Sequence, residues 1–373
     1  MQVARQMDQA PVAVEVNLPR MLPDVIGVGA YLKASVCVIR GDRAYVSETS
    51  GDLGTMEAIE HYDGVMEWAL EVLPEPRCVA HDLHPDFYTT QAAQELGVKT
   101  LPVQHHHAHT LATAWEHGET GPVLGLMLDG YGMGPDGASW GGELLWVDGL
   151  EYRRVGHLTE LQQPGGDVAA REPWRMAAAA LQALGRGNEI ARRFAGQRHA
   201  AMLVQMLEKR VNSPETSSCG RLFDAACGLA GVQEVAEFEG QAPMAFEALV
   251  SAPEVMDGGW RLDEGRLNLM PLLNRLTELT PEEASNLFHG TLIAAMADWV
   301  VQAREDSGCD TVAFGGGCFL NRVLTEGLTE VLEAKGLRVL MPELLSPGDA
   351  GLSFGQAIAA GLAAEQSGEE LCV

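Results

Sequence analysis

The stretch VKTLPVQHHHAH, Val98 to His109, passes from a short apolar run into an alanine-rich segment, and so reads as a strand that turns directly into a helix. Its outer histidines, His105 and His109, are four apart, which puts both imidazoles on one helical face at metal-ligand spacing. Neutral imidazole suits zinc or iron, with a harder ligand to come from elsewhere in the chain. The same cluster is equally compatible with histidines decorating an exposed helix start, so the surrounding sequence has to decide.

Upstream, ASVCVIRGDRAYVS (Ala34–Ser47) reads as a β-hairpin turning at Gly41 and Asp42, followed by a helix from about Met56 to Leu73 with Ile59, Tyr62, Met66 and Leu70 at helical spacing. Cys78–Ala80 is a short strand and Thr89–Leu96 a short helix. After Gly121 the order restarts with the strand PVLGLMLDG and a second hairpin, SWGGELLWVDGLEYRRV, turning at Asp148 and Gly149. An insertion from about Gly165 to Thr277 is rich in Ala, Leu and Arg at helical spacing. Beyond it lie a helix Glu283–Arg304, a strand Thr311–Phe314 ending in GGG, a helix Asn321–Ala334, a strand Leu337–Met341 and a helix Asp349–Ala364.

Laid side by side, RCVAHDLHPD matches DTVAFGGGCFLN, and VKTLPVQHHHAH matches LRVLMPELLSPGDAG. Such a match implies a two-copy α/β duplication. If the copies pack about a pseudo-twofold axis, the loop carrying His105 and His109 and the equivalent loop carrying Asp349 face one cleft at the carboxyl ends of strands. Asp349 then supplies the hard ligand, although an Asp in PGDAG serves equally well as an ordinary N-cap.

The chain has 373 residues, enough for about two domains, and its 46% hydrophobic and 21% charged residues are those of a globular protein. No apolar run approaches a membrane span and the polar start MQVARQMDQ has no secretory core, so the cytoplasm is the expected location, with no membrane partner. Met1–Pro23, with three prolines, reads as a leader or linker. Seven scattered cysteines without a C-x-x-C pair indicate neither a disulfide framework nor a thiolate zinc site; Cys37 and Cys318 read as buried free thiols. With 25 basic against 52 acidic residues, a formal charge of −27, direct nucleic-acid binding is not expected, because basic side chains supply most of that affinity. Anionic substrates have to be held by local devices: glycine-rich turns, helix N-termini or a metal.

Several long blocks carry a resemblance. They are GAYLKASVCVIRGDRAYVS (Gly29–Ser47), GDL (Gly51–Leu53), HDLHPDFY (His81–Tyr88), VQHHHAH (Val103–His109), LDGYGMGPDGASWGGE (Leu128–Glu143), PGGDVAAREPWR (Pro164–Arg175), TSSCGRLFDAACGLAG (Thr216–Gly231), FEGQAPM (Phe238–Met244), FGGGCFLN (Phe314–Asn321) and PGDAGLSFGQA (Pro347–Ala357). With these in order the chain resembles the ASKHA (actin, sugar kinase, Hsp70) superfold. More specifically, it resembles the C-terminal, threonylcarbamoyltransferase-like region of the hydrogenase-maturation carbamoyltransferases of the HypF family. The implied architecture is a duplicated two-lobed α/β fold: residues 1–26 a leader or linker, 27–120 a first lobe, and 121–373 a second lobe with a mainly helical insertion at about 165–277.

The resemblance implies carbamoyl transfer from a carbamoyl adenylate, made from carbamoyl phosphate and ATP, to the C-terminal cysteine of a HypE-type acceptor protein. Dehydration of the thiocarbamate then yields the cyanide ligands of the nickel-iron centre. It further implies a divalent metal, iron or zinc, on His105, His109, Asp129 and Asp349, and a nucleotide on Asp224, Gly240, Gly316 and Asn321. Arg171, Glu172, Arg175 and Lys33 are candidates for contacts near the carbamoyl or phosphate groups. Each has a plainer reading: Asp129 before Gly a strand-end turn, GGG a strand-to-helix turn, and the charges of REPWR a solvated helix face. Full-length members precede this region with acylphosphatase-like, zinc-binding and YrdC-like adenylating domains that this sequence lacks, so a separate YrdC-like protein is expected to supply the adenylate to what is either a short natural form or an excised fragment. The competing readings are a tRNA threonylcarbamoyltransferase, disfavoured by the charge, an O-carbamoyltransferase of a small molecule, and a nucleotide-binding scaffold without transfer activity.

Overall fold

Thr55 starts the first helix, α1 (Met56–Val72), by accepting from the Ala58 N–H, and the apolar face of α1 covers the first of two sheets. A computed structural model describes residues 11–369 and shows that sheet as β2–β1–β3–β4, with β1 Val12–Gly27, β2 Cys37–Ser47, β3 Val79–Asp82 and β4 Thr100–Val103. Helix α2 (Tyr88–Glu95) joins β3 to β4, and α3 (His105–Glu116) leaves β4 directly. The second sheet runs β10–β11–β7–β6–β5–β12–β13, from β5 Val123–Met133, β6 Ser139–Asp148, β7 Glu151–Leu158, β10 Arg261–Asp263, β11 Arg266–Asn268, β12 Thr311–Gly315 and β13 Arg338–Leu340; the short β8 (Leu161–Gln162) and β9 (Glu215–Thr216) pair beside it.

Two expectations are corrected here. Residues 12–26 are not a leader: they form most of β1, whose Val16, Leu18, Leu22, Val25 and Ile26 are buried. Residues 1–10 of the expected leader lie outside the described residues. Nor is Ala34–Ser47 a hairpin, because Cys37–Ser47 runs as one strand antiparallel to β1, from Gly27 opposite Cys37 to Val12 opposite Ser47. Proline made β1 look like a linker. Pro19 and Pro23 fall in the two irregular stretches of the β1–β2 ladder, Asn17 to Leu22 and Leu22 to Val25, where an N–H is dispensable. Gly41 (φ +63°) sits opposite Leu22 at the same irregularity and bends the strand instead of ending it. The second expected hairpin does form, with Asp148 opposite Glu151.

The duplication is visible in strand sense. In the first sheet β1 pairs antiparallel with β2 and parallel with β3, which pairs parallel with β4. In the second, β5 pairs antiparallel with β6 and parallel with β12, which pairs parallel with β13. A two-lobed ASKHA arrangement is the result, with the insertion entering after β7. Within the insertion α4 (Pro173–Ala183) and α5 (Cys219–Ala230) pack closely at Gly228, where a Cβ would lie 2.9 Å from that of Ala177. Helices α6 (Pro281–Ser307) and α7 (Arg322–Ala334) cover the second sheet, and α8 (Leu352–Glu369) closes the chain.

The last helix of each copy reaches the other copy. Thr113 of α3 donates to the Phe314 carbonyl of β12 at 2.9 Å, while Gln356 of α8 exchanges two hydrogen bonds with the Gly29 backbone after β1. The two helices cross where Gly355 faces the Ala108 carbonyl, so tightly that a Cβ at 355 would sit 1.8 Å from that oxygen. This crossing brings the two ligand-bearing loops to one place.

Candidate functional site

Gln104 starts α3: its Oε1 accepts from the His107 N–H at 2.8 Å and its Nε2 donates to the Met133 carbonyl, tying the helix start to the end of β5. The three consecutive histidines then diverge. His107 turns away, its Nε2 2.8 Å from the Gly149 carbonyl and its ring stacked on Tyr152, and burial pushes its pKa down to about 4. His106 stacks on Trp140. His105 and His109 share the face toward the cleft, ring centroids 4.9 Å apart. They are buried, so the exposed-decoration reading falls.

Opposite them stand Asp129, within β5 where its ladder with β6 is irregular between Leu128 and Gly132, and Asp349, in the turn before α8. His105 Nε2 is 3.7 Å from Asp129 Oδ2 and 3.5 Å from Asp349 Oδ1; for His109 Nε2 the distances are 3.4 and 3.7 Å. One ligand atom from each of the four residues lies within 4.8 Å of all the others. Asp349 makes no capping bond, which removes its N-cap reading. Asp129 Oδ1 does accept a turn-like bond from the Gly130 N–H (2.8 Å) and a second from the Gly317 N–H (3.2 Å), but these fix the carboxylate so that Oδ2 faces the histidines.

Three of the converging atoms, His105 Nε2, His109 Nε2 and Asp129 Oδ2, are buried without a hydrogen-bond partner. Two imidazole nitrogens and two carboxylates closing on one point are a donor set that fits a divalent ion such as zinc or iron. Burial by itself lowers the pKa of His105, but the facing carboxylates of Asp129 and Asp349, with Asp82, more than offset this and hold it well above the usual histidine value. Asp129 is correspondingly held well below the carboxylate range by His105 and His109, against the effect of burial. A cation entering here replaces protons on the imidazoles.

The sequence reading missed Asp82, although it lies in the quoted block HDLHPDFY. Its Oδ2 accepts from His105 Nδ1 at 2.8 Å, which directs the free electron pair of Nε2 at the cluster, and its Oδ1 accepts from the His84 N–H at 2.9 Å. Glu143 was also unassigned; its buried carboxylate accepts from the N–H groups of Gly141 and Gly142, from Arg154 and from Ser217, and so secures the strand beside Asp129.

The expected nucleotide residues all lie in the second lobe. Gly316 (φ +98°) is forced by close approach, since a Cβ would come within 2.4 Å of the Leu128 carbonyl. With Gly317 it wraps around Asp129. Asn321 is already engaged at both ends of its amide: Oδ1 caps α7 through the Leu324 N–H, and Nδ2 is 3.1 Å from His289 Nε2. His289 donates from Nδ1 to the Ser285 carbonyl, so its Nε2 accepts. Gly240 (φ +83°) opens the helix Gln241–Glu247. Asp224 is buried on α5, its pKa pushed up to about 6 by burial, with Arg221 Nη1 2.9 Å away.

The remaining candidates are not among the four converging residues. Glu172 accepts from Trp174 Nε1 and Arg175 Nε, a local arrangement under the Gly165 turn, while the Arg171 side chain is exposed. Lys33 is exposed on the loop after β1 in a left-handed conformation (φ 50°).

A two-lobed ASKHA cleft with a His₂Asp₂ cluster, three of its residues buried and Asp349 half-buried, at the junction of its duplicated halves defines the class of protein. Family models agree: residues 20–116 match the HypF Kae1-like domain, and residues 125–356 match "Carbamoyltransferase, Kae1-like Domain, second subdomain". The chain belongs to the HypF carbamoyltransferase family, in its Kae1-like region. It is 46% identical to carbamoyltransferase HypF2 of Cupriavidus necator, over 91% of this chain and 47% of the relative, and 44% identical to HypF of Rhizobium leguminosarum, over 90% and 44%. The chain thus spans about half the length of these curated relatives. A HypF homolog of Cupriavidus necator, 45% identical, is matched over 89% of this chain and 90% of its own length. Among solved structures, full-length HypF in a phosphate- and nucleotide-bound form superposes with a TM-score of 0.86 at 29% identity, covering 94% of this chain and 57% of that one. T. kodakarensis HypF gives 0.86 at 25% identity, covering 95% and 50%. Among the described residues no helix is long and apolar enough to cross a membrane.

Proposed function

We propose that this chain performs the transfer half of a carbamoylation in hydrogenase maturation: the carbamoyl group of a carbamoyl adenylate passes to the C-terminal cysteine of a HypE-type acceptor, in the cytoplasm. The observation that carries the reading is the convergence of His105, His109, Asp129 and Asp349 beside the Gly316–Gly317 loop, in a chain of the HypF family. The nucleotide-bound HypF relative supports nucleotide binding, and we assign the nucleotide to the second-lobe residues Gly316, Asn321, Asp224 and Gly240. A YrdC-like protein or domain supplies the adenylate.

In the transfer step the acceptor thiolate attacks the carbamoyl carbon. A C–S bond forms, the bond from that carbon to the phosphate oxygen breaks, and the electron pair leaves with AMP, so one negative charge moves from sulfur to phosphate. A divalent ion on His105, His109, Asp129 and Asp349 would supply Lewis acidity toward an oxygen of the bound adenylate. No side chain of this protein becomes a covalent intermediate. The protein contributes a fixed geometry, worth about 7 to 11 kcal/mol in favourable cases, through the Asp82–His105 contact, the glycine turn around Asp129 and the α3–α8 crossing.

The test is the intact mass of a purified HypE-type acceptor incubated with this chain, ATP and carbamoyl phosphate, with and without a separate YrdC-like protein. Carbamoylation of the terminal cysteine that requires the added protein is the expected result. No carbamoylation in either condition would turn the reading toward an O-carbamoyltransferase or a nucleotide-binding scaffold.

A further inference from the structure

Among the described residues Arg221 is the one buried arginine or lysine, 6% exposed, in a chain of formal charge −27. It stands in the first turn of α5, and that turn is fastened to the metal-type cluster. Ser218 caps α5 by accepting from the Arg221 N–H, and donates to the carbonyls of Asp129 and Gly130 at 2.9 and 2.8 Å. Gly220 packs so closely on Gly130 that a Cβ there would lie 3.1 Å from the Gly130 Cα. The guanidinium Nη2 reaches the open side of Gly130, 3.6 Å from where that residue's Cβ would stand.

This guanidinium is short of acceptors. Nε and Nη1 are buried without hydrogen-bond partners, and so is Asp224 Oδ2, which lies 2.9 Å from Nη1 but out of hydrogen-bond alignment. A buried arginine with a planar fork of five donors is costly unless an anion with properly placed oxygens completes it. Asp224 faces Nη1 and holds the guanidinium from that side, while Nη2 is the corner directed toward Gly130.

We propose that Arg221 is the anion receptor of the cleft, taking the phosphate oxygens of the nucleotide and meeting the negative charge that arrives there as AMP leaves, with Asp224 as its positioning residue. This rests on the nucleotide reading given above and refines it: Asp224, expected among the nucleotide contacts, acts through Arg221. The N-terminus of α5, a helix of 12 residues, adds its dipole on the same side. Phosphate recognition is thereby supplied by one buried arginine in an otherwise acidic protein.

The experiment compares AMP with adenosine, which lacks the phosphate, by calorimetric titration of the full chain at fixed zinc occupancy. Wild-type protein should bind AMP more tightly than adenosine. Arg221→Met should weaken AMP by about 10- to 100-fold, the range for a hydrogen bond to a charged group, with adenosine affinity and zinc content unchanged. Arg221→Lys should recover part of the loss. The double variant Arg221→Met with Asp224→Asn leaves no unpaired buried charge and should show the same selective loss, which guards against a misfolded single variant. Equal weakening of AMP and adenosine would make Arg221 merely structural and overturn the proposal. So would unchanged AMP affinity, which would point to Glu239, whose carboxylate lies over Gly130 beside the guanidinium, as its true partner. Failure of the wild type to bind either ligand would instead overturn the nucleotide reading itself.

Discussion

Replacing Asp82 by Asn removes one charge and almost no volume, yet it should cost most of the metal affinity. Both carboxylate oxygens act as acceptors in a buried site, Oδ2 from His105 Nδ1 and Oδ1 from the His84 N–H. An asparagine has one acceptor oxygen. If that oxygen faces His105, the amide NH₂ opposes the His84 N–H; if it faces His84, the NH₂ meets His105 Nδ1, which must then accept and carry its proton on Nε2, the atom aimed at the cluster. The first orientation sets two donors against each other in the turn that fixes residue 82, and the second misdirects His105 itself. Loss of such a supporting partner typically lowers metal affinity 10- to 100-fold, about 1.4 to 2.7 kcal/mol. The assay is zinc affinity of metal-stripped protein by competition with a chelating indicator, with circular dichroism to establish that Asp82→Asn is folded. An affinity within twofold of wild type would refute the idea that Asp82 orients His105 for a metal.

Three further outcomes follow from the same geometry. His109→Ala should abolish stoichiometric zinc binding and carbamoyl transfer while leaving the far-ultraviolet spectrum unchanged; full transfer by a metal-free variant would sink the metal role. His289, neutral in the fold with its pKa pushed down to about 4 by burial, against about 6.5 when unfolded, contributes stability that is complete above pH 6.5 and is lost as pH falls toward 4. Denaturant titrations should therefore show wild type losing about 2 kcal/mol more than His289→Gln between pH 7 and 5, and identical pH slopes would contradict this. Gly355→Ala should force α3 and α8 apart at Ala108, at a cost of about 1 to 3 kcal/mol, and weaken zinc binding. Gly185→Ala, strained only by its φ of +73° with open space around it, should lose about 1 kcal/mol and keep zinc; equal zinc loss in both would refute the crossing as the device that sets the site.

Legibility varied along the chain for identifiable reasons. Helix α1 and the strand-to-helix passage at Gln104 announced themselves because caps and periodicity act over a few residues. Strand β1 did not, because its prolines are tolerated only where β2 lets the ladder lapse, and that partner begins ten residues after β1 ends. The β2 hairpin was misread for the same reason: glycine followed by aspartate reads as a turn, but in this ladder Gly41 marks an irregularity.

By itself the sequence determined the duplication, the pairing of His105 with His109 on one helical face, and Asp349 as their counterpart in the second copy, because repeat order and helical spacing are properties of the chain alone. Only the tertiary structure decided how each conspicuous residue is held. Asn321 also caps α7 and Gly316 also makes a close backbone approach, while Asp82 accepts from His105 and Arg221 is buried with two nitrogens lacking partners. Burial and partnership arise from elements up to hundreds of residues apart, where α3 and α8 cross and β5 meets β12, and no local pattern encodes which polar atom is left there without a partner.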